Sequence, residues 1–282
     1  MPPLTTRQFS AENSAQLVAE RLGSGGPLPR TLAAVVAHLH AAVRETRPSV
    51  AEWRSAIAFL TEVGHASDEK RQEWVLLSDL LGVTALVEEI NSRRPKGATP
   101  NTPRGPFYRP DAPRVALGGT ISLDGVGEAL EVRGSVQDLD GRPVAGARIE
   151  TWQANGLGQF ENQQPDLQPE FNLRGILTAD AEGRFHYRTV KPAGYGVPED
   201  GPVGQLLGRM GYPLRRPAHV HFMISAPGFE TITTQVFDRC DPQIDSDAIF
   251  AVREDLIGDF RKVGDGTWEL EFAFVMARSR AP

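Results

Sequence analysis

Apolar residues change their period partway along the chain, and that change limits the folds open to it. Across residues 31–91 they recur three and four apart: Leu32, Val35, Val36, Leu39 and Val43, then Trp53, Ile57 and Leu60, then Trp74, Leu77, Leu80 and Leu81. Such spacing lines them along one side of a 3.6-residue helix. Ser49 and Glu52 stand three apart ahead of one helical stretch, where each side chain can satisfy a free amide of the first turn. Gly64 and Gly82 fall where left-handed helix ends are expected. Beyond about Pro95 the pattern becomes one of short alternating stretches, at 130–136, 144–152, 185–190, 220–224, 231–237 and 268–275. Asp140-Gly141 and Glu182-Gly183 supply turns between them. Short strands punctuated by glycine and proline predict an antiparallel sandwich or barrel. Residues 95–113, with prolines at 95, 100, 103, 106, 110 and 113, read as an extended connector draped over that sheet. The expected architecture is α+β: a helical region over 1–100, then a mainly β-sandwich domain over 101–282.

Charge and cysteine content narrow the function. The net charge of -6, with no basic block, opposes nucleic-acid binding. Cys240 is the single cysteine, which excludes an internal disulfide or a cysteine-based zinc cluster and makes a reducing, cytoplasmic setting the default. The first residues, Met1-Pro2-Pro3-Leu4-Thr5-Thr6-Arg7, lack the charged and apolar regions of a secretory signal. The longest apolar run, 32–43, is broken by His38 and His40 and is too short to span a bilayer, so no membrane insertion is expected.

Chemistry concentrates in Arg216-Pro217-Ala218-His219-Val220-His221, which runs into an alternating strand. Two imidazoles two residues apart project from one face of a pleat and can chelate one metal ion, although such a pair is also ordinary surface chemistry. Ala226-Pro227-Gly228 should fold the next strand back as a hairpin. Centred near Pro227, it sets Gln235 roughly opposite His219. Arg216 should sit at the rim of the same face, where a guanidinium could stabilise a substrate anion or simply be a surface group. Tyr195 lies in Lys191-Pro192-Ala193-Gly194-Tyr195-Gly196-Val197-Pro198, a loop stiffened by proline and glycine. Its phenol either packs locally or becomes a metal-bound phenolate. Tyr187, inside an alternating stretch, reads as packing.

Several segments together carry a resemblance. Ile149-Glu150-Thr151-Trp152-Gln153-Ala154-Asn155, Phe171-Asn172-Leu173-Arg174-Gly175, Pro192-Ala193-Gly194-Tyr195-Gly196 and the histidine segment resemble the intradiol ring-cleaving dioxygenases. Trp152-Gln153-Ala154-Asn155 looks more like the hydroxyquinol (benzene-1,2,4-triol) branch than the catechol branch. Upstream, residues 72–82 and Gly105-Pro106-Phe107-Tyr108 are similar as well. The resemblance implies a helical dimerisation region, a β-sandwich catalytic domain with non-haem Fe(3+), and a phospholipid between the helical regions of a homodimer. It implies iron ligands at Tyr195, His219 and His221, with Arg216 and Gln235 steadying the substrate anion. Leu76, Asp79, Gly105, Pro106, Phe107, Val197 and Pro198 align with positions lining the family's substrate pocket. The implied reaction takes an aromatic 1,2-diol and O2 to a muconate- or maleylacetate-type acid, a step of aromatic catabolism.

One position departs from the family. A second tyrosinate is expected a few residues after the Trp-x-Ala-Asn motif, and Phe160 stands there. Glu161 could swing in as a carboxylate, Tyr108 or Tyr212 could approach, Tyr195 could serve alone beside water, or the metal could be lost. An altered centre acting on a related aromatic, or a non-catalytic binding protein, are the corresponding alternatives. Arg104, just before Gly-Pro-Phe, hints at a negatively charged substrate.

Overall fold

A computed structural model describes residues 9–23, 25–68, 71–92, 94–264 and 266–279. The first seven residues, read above for a secretory signal, lie outside them. The chain forms two compact units, Met1–Glu62 and Val63–Pro282.

In the first unit α1 (Ser14–Leu22) packs on α2 (Pro27–Thr46), and α3 begins at Val50 and runs to His65. Pro27 opens α2, where its fixed φ suits the first turn and its missing N–H costs nothing. The Ser49–Glu52 pairing forms as expected: Ser49 N–H donates to Glu52 Oε2 at 2.7 Å and Glu52 N–H to Ser49 Oγ at 3.2 Å. The helix α1 was not legible in the sequence, its apolar residues being too few to establish a period. Gly64 does not cap α3, which continues through His65. Gly82, with φ 70°, does take the left-handed conformation, between α4 (Glu73–Leu80) and α5 (Val83–Asn91) of the second unit.

The connector crosses the sheets as expected. Thr99 N–H donates to Val275 O at 3.0 Å, Thr102 N–H to Thr233 O at 2.9 Å and Val115 N–H to Ile176 O at 2.9 Å. It drapes over strands that follow as β1 (Ala129–Asp138), β2 (Arg148–Gln153), β3 (Arg174–Thr178), β4 (Arg184–Val190), β5 (Tyr195–Gly196), β6 (Arg215–Arg216), β7 (His219–Ser225), β8 (Ile232–Asp238), β9 (Ile257–Gly258), β10 (Arg261–Val263) and β11 (Thr267–Met276). The helix α6 (Pro202–Arg209) separates β5 from β6. One sheet has the order β10-β11-β1-β4, the other β3-β2-β7-β8-β9, and β5 pairs with β6.

Alternation explains the sandwich. Leu130, Val132 and Val136 of β1, Phe185 and Tyr187 of β4, and Leu270 and Phe274 of β11 face Ile149, Val220, Phe222, Ile224 and Val236 of the other sheet in one buried cluster. Tyr187 is therefore core, its hydroxyl 2.9 Å from Thr151 Oγ1. Truncating a fully buried phenylalanine here, such as Phe222, would cost roughly 3–5 kcal/mol. The hairpin register differs from expectation by two residues: His221, not His219, faces Gln235, and His219 faces Phe237. The turn centres on Gly228, whose φ of 81° few other residues tolerate. A shift of two keeps every side chain on its face, so Gln235 still points to the histidine side.

Candidate metal and substrate site

The pleat of β7 sends Val220, Phe222 and Ile224 into the core and His219 and His221 to the other side. Both histidines are buried there as well. His219 Nδ1 lies 2.7 Å from the Pro217 carbonyl, which can only accept, so Nδ1 carries the proton and Nε2 offers a lone pair. His221 Nε2 stands 3.1 Å from it. Across the ladder Trp152 pairs with His221, and the two rings stack at 4.7 Å and 12°. That stacking orients a ring whose buried Nδ1 has no hydrogen-bond partner among the described residues. Burial, reinforced by the Arg216 guanidinium, pushes His219 down to about 3. Burial, then His219 and Arg216, hold His221 well below its ordinary value. Two neutral imidazoles facing each other at this distance must share a proton or a cation.

Tyr195 enters through β5, where it pairs with Arg216 of β6. Gly194 allows that approach, since a Cβ there would sit 2.7 Å from the Arg216 carbonyl. The Tyr195 hydroxyl reaches 3.4 Å from His219 Nε2. Burial raises the phenol's pKa, and the charge of Arg216 opposes the rise. Two bonds of about 2.1 Å meeting near a right angle set their donors about 3 Å apart. The separations of His221 Nε2 and Tyr195 Oη from His219 Nε2, 3.1 and 3.4 Å, match that spacing, so the three side chains could hold one ion. No cluster of three or more His, Cys, Asp or Glu suited to a metal occurs among the described residues.

Arg216 is not at a rim: it is 3 % exposed. Its Nε donates to Asp247 Oδ1 at 2.9 Å and its Nη2 to Gln235 Oε1 at 2.6 Å. Gln235 Nε2 in turn donates to Pro103 O at 2.7 Å, tying the connector to the guanidinium. Nη1 is left 3.4 Å from both Tyr195 Oη and His219 Nε2. Asp247 was missed by sequence reasoning. It lies in an ordinary acidic loop with Asp241 and Asp245, and only the tertiary fold distinguishes it.

Phe160 closes another side. It is 1 % exposed, stacks on Phe107 at 4.3 Å and 24°, and meets Tyr195 edge-on at 5.6 Å. None of the side chains considered as replacements for a missing oxygen points here. Glu161 is taken by Arg174, whose Nε and Nη2 donate to its two oxygens at 2.7 and 2.6 Å, with Arg109 3.5 Å away. Tyr108 donates to Glu150 Oε2 at 3.0 Å, and Tyr212 donates to the Leu80 carbonyl. Arg104 is exposed and lies 4.9 Å over the Tyr108 ring.

Of the pocket positions read from the sequence, Gly105 lies against the histidines, a Cβ there being 3.7 Å from His221 Cε1. Phe107 packs with Phe160 and Tyr195. Asp79, on α4, feels the charge of Arg216; burial nevertheless holds its carboxyl above the usual range. A hydrogen bond from Thr84 engages it, while Oδ1 is buried without a partner among the described residues. Leu76 lies three residues earlier on α4, on the same helical face. Val197 is buried just after β5, whereas Pro198 and Pro106 are exposed. Glu73, at the start of α4, accepts from Val203 N–H at 3.1 Å and so joins α4 to α6.

A β-sandwich presenting two buried strand histidines, a phenol and a buried guanidinium is the architecture of ring-opening oxygenases that act on aromatic diols. Family profiles match along the chain: "Catechol dioxygenase N terminus" over residues 29–99 and "Dioxygenase" over 104–278. The chain is 47% identical over 284 residues to a hydroxyquinol 1,2-dioxygenase of Rhizobium sp., covering 96% of each. It is 44% identical over 273 residues to a 6-chlorohydroxyquinol 1,2-dioxygenase of Cupriavidus pinatubonensis, covering 96% of this chain and 98% of that one. Among solved structures, hydroxyquinol 1,2-dioxygenase from Pseudomonas putida superposes with a TM-score of 0.88 at 36% identity, covering 95% of this chain and all (100%) of the other. The chain belongs to the intradiol ring-cleavage dioxygenases and is an enzyme of that reaction class.

Proposed function

We propose that this enzyme opens hydroxyquinol, or a closely related aromatic 1,2-diol, between its vicinal hydroxyls, with iron held by Tyr195, His219 and His221. The observation carrying this is that His221 Nε2 and Tyr195 Oη lie 3.1 and 3.4 Å from His219 Nε2, beside the Nη1 of a buried arginine. Iron held there would supply the electron transfer that lets O2 react with the diolate, both oxygen atoms entering a maleylacetate- or muconate-type diacid. The protein's own residues do the rest. Tyr195 Oη takes a proton from an incoming hydroxyl, and Arg216 Nη1 steadies the negative charge on the ring oxygens. Asp247 and Gln235 fix the guanidinium so that it need not reorient as charge develops.

Leu76, Asp79, Gly105, Pro106, Phe107, Val197 and Pro198 form the substrate pocket in this reading. Aromatic walls exclude water, and the Oδ1 of Asp79, without a partner among the described residues, is an acceptor for the third hydroxyl that distinguishes the triol from catechol. The names of the relatives above favour the triol.

A homodimer through the N-terminal helices belongs to the same proposal. No residue of α2 is buried, and Leu32, Val35, Leu39 and Val43 are exposed, as are Val50, Trp53 and Ile57 of α3. A cavity of about 510 Å³ lined by Phe9, Leu39, Val43, Val50 and Trp53, with Arg44 beside it, suits a phospholipid chain and headgroup. No helix among the described residues is long and apolar enough to cross a membrane. The exposed free thiol of Cys240 accords with a reducing, cytoplasmic setting.

An iron-loaded sample should consume one O2 per triol, with loss of the aromatic absorption. Absence of uptake with hydroxyquinol and with catechol would overturn the proposal in favour of a binding role.

A further inference from the structure

Phe160 makes the donor set of this chain poor in negative charge. Its buried ring, held between Phe107 and Tyr195, offers only carbon to the site. Glu161 cannot turn inward without stranding Arg174, whose side chain is 1% exposed. Tyr108 and Tyr212 are bonded elsewhere. Asp247 spends Oδ1 on Arg216 Nε and shares Oδ2 between Arg216 Nη2 and the Ala251 N–H. Of the oxygen-bearing side chains among the described residues, Tyr195 is the one within 3.4 Å of a ring nitrogen of His219 or His221, and so placed to bring them an anionic oxygen.

We infer that this centre has a single anionic protein donor, Tyr195, and that the resting enzyme selects a divalent ion, Fe(II) foremost, over Fe(III). The inference rests on the metal-site proposal above and adds the charge that the site can balance. Two neutral imidazoles contribute none, and the guanidinium of Arg216 stands 3.4 Å from both Tyr195 Oη and His219 Nε2. Counting Arg216, Asp247 and a Tyr195 phenolate, a divalent ion leaves the buried cluster with one net positive charge and a trivalent ion with two. Uncompensated charge away from water is strongly disfavoured. Two histidines and one anionic oxygen also resemble the ligand pattern of Fe(II) oxygenases more than a ferric site.

The test compares wild type, F160Y and Y195F after metal removal and reconstitution with Fe(II) under anaerobic conditions, then after oxidation. Iron per chain following dialysis against a chelator and the visible phenolate-to-ferric absorption are the readouts. Wild type should retain Fe(II) near one per chain and lose most of its iron once oxidised. F160Y should keep ferric iron and absorb at least about twofold more per iron, having two phenolates in place of one. Y195F should show no such absorption. Equal ferric retention by wild type and F160Y, or residual colour in Y195F, would show that another anionic donor occupies the site and overturn the inference alone. Failure of wild type to take up iron in either state overturns both it and the metal-site proposal. Should F160Y not fold, the oxidation-dependent iron loss of wild type and the colour of Y195F decide.

Discussion

Arg216 and Gln235 are joined by a hydrogen bond of 2.6 Å from Nη2 to Oε1, and the amide nitrogen of Gln235 donates to Pro103 at 2.7 Å. The glutamine thus couples the guanidinium to the connector that carries Gly105 and Phe107. In Q235A the Pro103 carbonyl loses its donor and Arg216 loses one of its acceptors. A buried group left unpaired costs about 1–3 kcal/mol, so kcat/KM for the triol should fall about 10- to 100-fold. Steady-state kinetics with a matched unfolding curve check this; unchanged kcat/KM would remove Gln235 from the catalytic set.

Asp247 holds the other edge of Arg216, and both side chains are buried, at 2% and 4% exposure. D247A strands a buried cation, for which roughly 3–5 kcal/mol of stability is expected to be lost. D247N keeps the shape and part of the hydrogen bonding, and should lose activity more than stability. Urea unfolding and kinetics on the two variants separate these effects.

Asp79 should read the third hydroxyl. In D79L the preference for hydroxyquinol over catechol is expected to drop by about 10- to 100-fold, because a polar site matched to a hydroxyl rejects analogues lacking it. Catechol turnover should change little. Competition between the two substrates measures the ratio directly, and an unaltered ratio would place the selectivity elsewhere.

Glu161 separates a structural role from a metal role. E161Q weakens a carboxylate held by Arg174 at 2.7 and 2.6 Å and should destabilise the fold by about 3 kcal/mol. Its iron content per folded chain should match wild type. Loss of iron without loss of stability would make Glu161 a ligand after all.

Acid should weaken the metal-free protein at a higher pH than carboxylate titration alone would explain. In the fold His219 is pushed down to about 3, chiefly by burial, and His221 lies well below its ordinary value. Unfolded histidines bind protons below about pH 6.5. Between those limits the unfolded chain holds more protons, so stability is complete above about 6.5 and declines as pH falls, by up to about 1.4 kcal/mol per unit for each histidine. Asp79 works in the opposite sense, since burial raises its pKa and ionisation then favours the unfolded chain. It is one group against two. Urea midpoints at pH 7.5, 6.5 and 5.5 (about one unit apart,) should decrease in that order for the metal-free form, and a flat series would contradict neutral buried imidazoles.

Much of the fold was legible because period is a local property. The alternation around Val132 and Val136, the capping pair Ser49–Glu52 and the proline-rich connector all carry their geometry in neighbouring residues. The histidine pair was equally plain, since a strand fixes which side chains share a face. What escaped depended on distant partners. Asp247 meets Arg216 across 31 positions of sequence, and nothing in its loop announces this. The hairpin register moved by two because the turn centres on Gly228 and not on Pro227. Glu161 looked free to act as a ligand only until Arg174 was folded against it.

The strand β11 lies between β10 and β1 in its sheet, running parallel to β1 from Trp268 beside Leu130 to Met276 beside Asp138. That sheet therefore cannot close until synthesis has passed Met276, although β1 emerges from the ribosome far earlier. In the interval Leu130, Val132 and Val136 have no β11 to cover them, so a nascent chain of this kind waits with an open apolar edge. Chaperone occupancy of stalled nascent chains should persist until that last strand is released.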